Sequence, residues 1–423
     1  MNKVLIITYY WPPSGGSGVQ RWLKFSKYLP QNGWKPIIYT PLSPSFDIED
    51  KDLLNEIQKD VEVWKTSIWE PYSIRDKLFG RSENSNAGII HDKSSLKNRI
   101  FNWIRGNIFI PDPKIYWVKP SIKYLSKKLK EERITHIIST GPPHSMHLIA
   151  LGLKKKYPKL KWIADFRDPW SELDLLDEFN LTKSSRTKYQ KLEREVLDNT
   201  DVCLTVSETW VDSFKRLGSR NVKLITNGFD EDDFNVLQKE GDTFVIGHFG
   251  LLNHLRNPKN LWYTLNEICD ENPQFNEKLE IRLSGNIDTE VLQSITQYFY
   301  LKSKVRVLGY LNHKEVLNEY NNSSILLLLL FNSESGKGNY PGKIFEYFAS
   351  QRSILAFGPN NSDTQNLMKK LHCGNYFTYE NKNLKEKILD LFNESDKVNI
   401  SDDINEFTRK NLTKKLSDLL NEI

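Results

Sequence analysis

Short apolar runs and longer amphipathic stretches take turns from one end of the chain to the other. In the first half the runs KVLIITYY, KPIIYT, HIIST, KWIADF, VCLTVS and VKLITN predict strands. In the second half TFVIGHFG, LEIRLSG, VRVLGYL, SILLLLLF, SILAFGP and NYFTY do the same. Between them lie helical patterns such as 19–29, where Val19, Trp22, Leu23, Ser26 and Leu29 share one face, and those over 260–270 and 343–350. Strand and helix in alternation predict right-handed βαβ units and parallel sheets covered on both faces. The run from Ile325 to Phe331 has no polar alternation, as expected of a parallel strand buried on both sides. It is far shorter than the roughly 20 residues of a membrane span. The opening MNKVLIITYYWPP holds too short an apolar stretch for a signal-peptide core and reads as a first strand.

Two complete α/β halves emerge. Phe229 to Asp242 is acidic, polar and without period, and the joint is expected there, giving domains at 1–235 and 242–400. Residues 43–113 interrupt the first half with little α/β alternation and read as an insertion of helices and loops, with a polar, mobile part over Gly80–Ser95. The tail, 401–423, carries Ile404, Phe407, Leu412, Leu416, Leu419 and Leu420 at helical spacing and needs a surface to pack on. The length of 423 residues agrees with two domains, because one core stops growing at about 250–300 residues. With 59 Lys plus Arg against 54 Asp plus Glu the net charge is only +5, which excludes a disordered polyelectrolyte. Three cysteines without CxxC or CxxH spacing argue against a zinc site and for a reducing compartment, with the cytoplasm as the default.

Ligands of open α/β sheets bind beyond the carboxyl ends of strands, so the loops that follow strands are the places to look. The first strand runs through Trp11-Pro12-Pro13-Ser14-Gly15-Gly16-Ser17-Gly18 into a helix. Gly15 and Gly16 allow close backbone approach, and the helix amides favour an anion; the bland alternative is a tight turn. The GxGxxG fingerprint is absent, and Thr40-Pro41 stands where an acid would hold a nicotinamide ribose, so no such cofactor is expected. His144 sits in the loop after HIIST, placed for a substrate, whereas His147 is expected to be structural. KWIADF delivers Asp165, Arg167 and Asp168 within DFRDPW; such charges must be solvated, paired or catalytic, and an Arg167 to Asp168 ion pair is the bland reading. Asp230 and Asp232 have the Asp-x-Asp spacing of a metal site but lie in the expected joint and read as solvated linker charges, so no metal is expected.

In the second half Arg256 stands just before a helix, where its cation and the helix dipole would act together on a phosphate. The loop from Ser333 to Pro341 is rich in glycine and enters a helix at Gly342 with Lys343 in the first turn. Lysine is unfavourable there by dipole alone, so an anion held at that place would account for it. Glu346 lies one turn on and can accept from a ribose diol. The bland reading is a solvated helix face.

At these residues the sequence resembles the family 4 type of nucleotide-sugar glycosyltransferases. YYWPPSGGSGVQR, DFRDPW, TVS, NGFD, HFG and YPGKIFEYFASQRSILAFGP fall in the order such proteins show, covering most of the chain except the insertion and the tail. The resemblance implies an α/β fold of GT-B architecture: two Rossmann-like domains facing each other across a cleft, the second holding the donor, the first the acceptor, and the tail packing toward the first. It implies donor binding by Gly15, Gly16, Arg256, Gly342, Lys343 and Glu346, with His144, Asp165, Arg256 and Lys343 as catalytic residues. The nucleotide sugar is a co-substrate and no cofactor is implied. Two departures stand out. Gly338 occupies the position of the family's upstream glutamate, for which Glu334 is a weak replacement, and the usual arginine and lysine pair is reduced to Arg256 with Lys259.

The expected activity is transfer of a hexose-like sugar from a nucleotide diphosphate to a glycan or lipid-linked glycan, with retention, during surface polysaccharide assembly. An epimerase or hydrolase of the same fold and a noncatalytic sugar-nucleotide binding subunit are the alternatives. From Lys93 to Lys130 there are ten Lys or Arg and one acid, Asp112, interleaved with aromatics. This predicts either an ordinary solvated helix or contact with anionic headgroups from the inner face of a membrane; no nucleic-acid module is present.

Overall fold

The computed structural model describes residues 1–46, 48–70, 96–234, 241–381, 383–393 and 401–423. They form two compact units, Met1–Thr226 with Arg409–Ile423, and Asn227–Thr408.

The first unit is built on a parallel sheet of β1 (Asn2–Ile7), β2 (Trp34–Pro41), β3 (Glu62–Thr66), β4 (His136–Gly141), β5 (Lys161–Phe166), β6 (Val202–Thr205) and β7 (Val222–Leu224), in the order β3-β2-β1-β4-β5-β6-β7. Before the unit boundary its helices among the described residues are α1 (Ser17–Tyr28), α2 (Leu96–Asn107), α3 (Ile115–Glu131), α4 (Ser145–Lys156), α5 (Lys183–Asn199) and α6 (Glu208–Arg216). Side chains of β1 alternate between faces. Leu5 and Ile7 join one core, while Val4 and Ile6 join another that contains Val19, Trp22 and Leu23 of α1. Strand β3 lies inside the stretch expected to lack α/β alternation. EVWKT buries only Trp64 and pairs with β2 alone, so its pattern is that of a polar sheet edge. The polar part expected over Gly80–Ser95, and Lys93, lie outside the described residues.

The second unit carries β8 (Phe244–Phe249), β9 (Leu279–Ser284), β10 (Val305–Gly309), β11 (Ile325–Leu329), β12 (Ser353–Phe357) and β13 (Gly374–Phe377), all parallel, in the order β10-β9-β8-β11-β12-β13. Its helices are α7 (Lys259–Glu271), α8 (Pro273–Lys278), α9 (Thr289–Thr296), α10 (His313–Asn322), α11 (Gly342–Ser350), α12 (Asp363–Leu371) and α13 (Lys385–Asn393). The apolar run of β11 is divided between two cores: Ile325, Leu327 and Leu329 on one side, Leu326 and Leu328 on the other, all fully buried. This is the α/β class with two Rossmann-like domains expected from the sequence.

The last helix, α14 (Arg409–Glu422), returns to the first unit. Leu412, Leu416, Leu419 and Leu420 pack in the core of Trp22 and Leu23, and Trp34 Nε1 donates to Asn421 Oδ1 at 3.1 Å. Of the stretch expected as the joint, Phe229 is fastened within the second unit by its amide, which donates to Phe407 O at 3.1 Å; residues 235–240 lie outside the described residues. Asp230 is buried rather than solvated, because its Oδ1 accepts from the Asp232 amide at 3.3 Å to start a short helical turn. Among the described residues no helix is long and apolar enough to cross a membrane.

In both sheets the strand order reverses beside the first strand, between β1 and β4 and between β8 and β11. The crevice at such a reversal is where an α/β sheet receives ligands.

Candidate functional site

In the second unit, the loops leaving β8 and β11 flank the reversal. Strand β8 ends at Phe249, and Gly250 follows with φ +142, a backbone state that other residues rarely adopt. A Cβ on Gly250 would lie 3.2 Å from Lys343 Nζ, and that ammonium donates to Phe249 O at 3.3 Å. Lys343 is the second residue of α11, whose N-terminus has Pro341 before it and no side-chain cap. From the turn after β8, Arg256 lays its guanidinium over the Phe331 ring at 3.8 Å, and its Nε is buried without a partner.

The two cations are half-buried, feel each other, and have no ion pair with a carboxylate among the described residues. Burial, then the charge of Arg256, brings the Lys343 ammonium down to about 7. Burial brings Arg256 down to about 10. His248, fully buried below them, contacts Leu327 O through Nδ1 at 2.9 Å and Leu251 O through Nε2 at 3.3 Å. It is held well below the usual histidine range by burial first and then by Lys343. Positive charge is thus concentrated at an uncapped helix start where it has to be partly desolvated. An anion there would relieve the two cations together.

Glu346, one turn along α11, is held by α10: Tyr320 Oη donates to Oε2 at 2.9 Å and His313 Nε2 approaches Oε1 at 3.3 Å. Burial and this carboxylate push the Tyr320 hydroxyl well up. Glu334 points elsewhere, its exposed carboxylate accepting from Lys337 Nζ at 2.8 Å.

The remaining expected residues belong to the first unit. The loop after β1 is pinned by the Gly15 amide, which donates to Ile48 O at 2.9 Å, and by the Asp50 amide on Pro13 O at 2.8 Å. Gly16 takes φ +82 and opens α1 without a side-chain cap. His144 precedes α4 with its ring stacked on Trp170, centroids 4.9 Å apart, and its Nδ1 buried and unpartnered. Burial, then His147 and Arg167, hold it well below the usual histidine range, so it is neutral. His147 is fully buried; its Nδ1 meets Ser139 Oγ at 2.8 Å, and its Nε2, like His144 Nδ1, is buried without a partner.

Asp165 differs from the expectation of a reacting group. One oxygen takes Arg21 Nη2 at 3.0 Å; the other takes Arg21 Nε at 3.2 Å, Trp22 Nε1 at 2.9 Å and Thr140 Oγ1 at 3.0 Å, with Asp165 itself fully buried. It fastens α1 to β5 and is held by four donors within the first unit. Nor does Arg167 pair with Asp168: it donates to the carbonyls of Gly141, Gly18 and Pro142, tying the loops after β1 and β4.

No family model and no curated protein matches the sequence. Solved structures do match the fold over the whole chain. A glycosyltransferase from Rickettsia africae is similar with a TM-score of 0.63 at 14% identity, covering 100% of this chain and 98% of its own. A variant of S. aureus TarM in complex with UDP gives 0.60 at 11% identity over 100% and 97%. A putative UDP-N-acetylglucosamine 2-epimerase from Listeria monocytogenes gives 0.58 at 10% identity over 100% and 97%. The chain has the GT-B fold.

Several residues now seen around the GT-B strand ends were not singled out from the sequence. His313 and Tyr320 are seven apart, two turns along one face of α10, and that spacing was the available signal. Phe331, two residues beyond β11, ends an apolar run whose pattern alone says only core. Arg21 and Trp22 follow the glycine-rich loop, but nothing local to them points to Asp165, which is 144 positions from Arg21.

Proposed function

We propose that this protein is a glycosyltransferase of the family 4 type that binds a nucleoside diphosphate sugar in its second unit and transfers the sugar, with retention, to a hydroxyl of a glycan or lipid-linked glycan. One observation carries the reading: Arg256 and Lys343, two half-buried cations with no carboxylate ion pair among the described residues, meet at the uncapped start of α11 beside the sheet's reversal. The diphosphate lies on these cations, and Glu346, oriented by Tyr320 and His313, accepts from the ribose hydroxyls. As the bond from the anomeric carbon to the diphosphate oxygen opens, the charge gathering on that phosphate is stabilised by Arg256, Lys343 and the amides at Gly342. The acceptor oxygen forms the new bond to the anomeric carbon and gives up its proton. His144, neutral and unpartnered at Nδ1, is the group of the first unit we assign to hydroxyl contact. The UDP in the TarM complex supports a nucleotide ligand. Three unpaired, buried thiols support a reducing, cytoplasmic setting, and surface polysaccharide assembly is the pathway class we assign.

Thermal unfolding with a panel of UDP, GDP, dTDP and ADP sugars tests the donor site. A ligand at 100 times its dissociation constant stabilises by about 2.7 kcal/mol. One donor class is expected to respond, and Lys343→Ala and Glu346→Ala are each expected to abolish the response; affinity unchanged in both removes the site. The anomeric configuration of the product, read by NMR, tests retention. The epimerase-like neighbour gives a second reading, which predicts turnover of the donor with no acceptor present.

A further inference from the structure

We propose that the first unit docks on an anionic lipid surface through the outward faces of α2 and α3. On α2 and just beyond it, Ile100, Trp103 and Ile108 are 53%, 42% and 54% exposed, and at the start of α3 Tyr116 is 49% exposed. Trp69, 51% exposed, sets its ring edge-on to Tyr116 with centroids 4.9 Å apart. This pair is built rather than loose. Beneath it Lys114 Nζ meets Glu70 Oε1 at 2.6 Å, both residues buried, and Tyr9 Oη donates to the same carboxylate at 2.9 Å. The segment bearing Trp69 is thereby clamped to the start of α3 with its indole outward.

From Tyr116 a stripe of Lys119, Lys123, Lys127 and Lys130 continues along the solvent face of α3 at helical spacing, and every one is exposed. Lys119 and Lys123, nearest the aromatic cluster, have no carboxylate partner among the described residues. Cations in line with exposed Trp, Tyr and Ile are the composition of an interfacial helix, whose apolar side enters the headgroup boundary while its lysines meet anionic phosphates. The aliphatic members decide against nucleic acid: Ile100 and Ile108 gain nothing from a phosphate backbone but partition favourably into acyl chains.

The test is co-sedimentation of the full chain with vesicles of phosphatidylcholine alone and of phosphatidylcholine mixed equally with phosphatidylglycerol, at low and high salt. Binding is expected only to the anionic vesicles and is expected to fall with salt. Each lysine at such a surface is worth roughly fivefold in partitioning, so Lys119→Gln with Lys123→Gln is expected to weaken it about twenty-five-fold. Ile100→Ser with Trp103→Ser is expected to weaken it about tenfold. These exposed positions leave the fold and the nucleotide thermal shift unchanged, so a failure here is separable from a failure of the donor site. Equal partitioning on both vesicle types, no partitioning, unchanged binding in either double variant, or preferential capture by a single-stranded RNA that vesicles do not compete would overturn the proposal.

Discussion

The lowered pKa of Lys343 gives the nucleotide site a pH dependence whose sign and size follow from its surroundings. Burial and the neighbouring Arg256 bring this ammonium to about 7 in the free protein. A diphosphate bound against it favours the charged form and raises the value again, so binding takes up a proton and tightens as pH falls. A lysine of pKa about 7 is half charged at pH 7 and about one part in a hundred charged at pH 9. If the bound form stays charged across this range, affinity falls about fifty-fold between those pH values, equivalent to ~2.3 kcal/mol at about 1.36 kcal/mol per decade. A nucleotide sugar is the proper probe because each of its phosphates carries one ester and one anhydride bond and loses no proton in this range.

Isothermal titration with the nucleotide sugar that responds in the thermal panel measures the effect. In buffers of different ionisation enthalpy it should show uptake of about half a proton per ligand at pH 7. Lys343→Met should bind more weakly at pH 7 and lose the dependence, since the titrating group is gone while the aliphatic stem is retained. A flat affinity from pH 7 to 9 in the parent protein, or an undiminished slope in Lys343→Met, would refute the placement of the phosphates on this lysine.

Two further outcomes separate the roles assigned to other residues. Asp165→Asn leaves the guanidinium of Arg21 buried without its counter-charge, which should cost about 3–5 kcal/mol of stability in the first unit. Urea unfolding followed by tryptophan emission reports on that unit, because every tryptophan except Trp262 lies before Asn227, and a midpoint equal to the parent's would sink the structural assignment. Tyr320→Phe removes one hydrogen bond to Glu346 and should weaken nucleotide-sugar binding about fivefold, as for a bond worth about 1 kcal/mol, while leaving the Lys343 pH slope in place. Titration calorimetry decides this, and an unchanged dissociation constant would separate Glu346 from the ligand.

The fold was legible because burial on both faces leaves a strand no choice but to be apolar throughout. Leu326 and Leu327 face different cores and are both leucine. Where burial is one-sided the signal fades, so β3, an edge strand that buries only Trp64, escaped the pattern. The charged residues of α11 were legible for a different reason: a lysine in the first turn opposes the helix dipole, and that local misfit can be read without knowing the fold. Their partners could not be read. Tyr320 reaches Glu346 from another helix, 26 positions away, and a tyrosine in an amphipathic helix looks the same whether its hydroxyl meets water or a carboxylate. Asp230 escaped because capping and solvation both place an aspartate beside a turn, and only the burial of its carboxylate distinguishes them.

Asp165 and the pair of Arg256 with Lys343 show how one rule of sequence reading divides in three dimensions. Both are charges beside the end of an apolar strand or the start of a helix, and both attract attention on the page. In the first unit the charge is closed: Arg21 answers Asp165, two further donors reach the same carboxylate, and Arg21 also donates to the carbonyls of Ile225 and Thr226 at 2.9 and 2.7 Å. Such a cluster is satisfied within the chain and gives a ligand nothing to bind. In the second unit the charge is open: two cations share a half-buried position, Arg256 Nε lacks a partner, and the nearby carboxylate of Glu346 is held by Tyr320 and His313 instead. Burying like charges together raises the free energy of the free protein, so an arrangement of this kind is explained by what it binds rather than by what it stabilises.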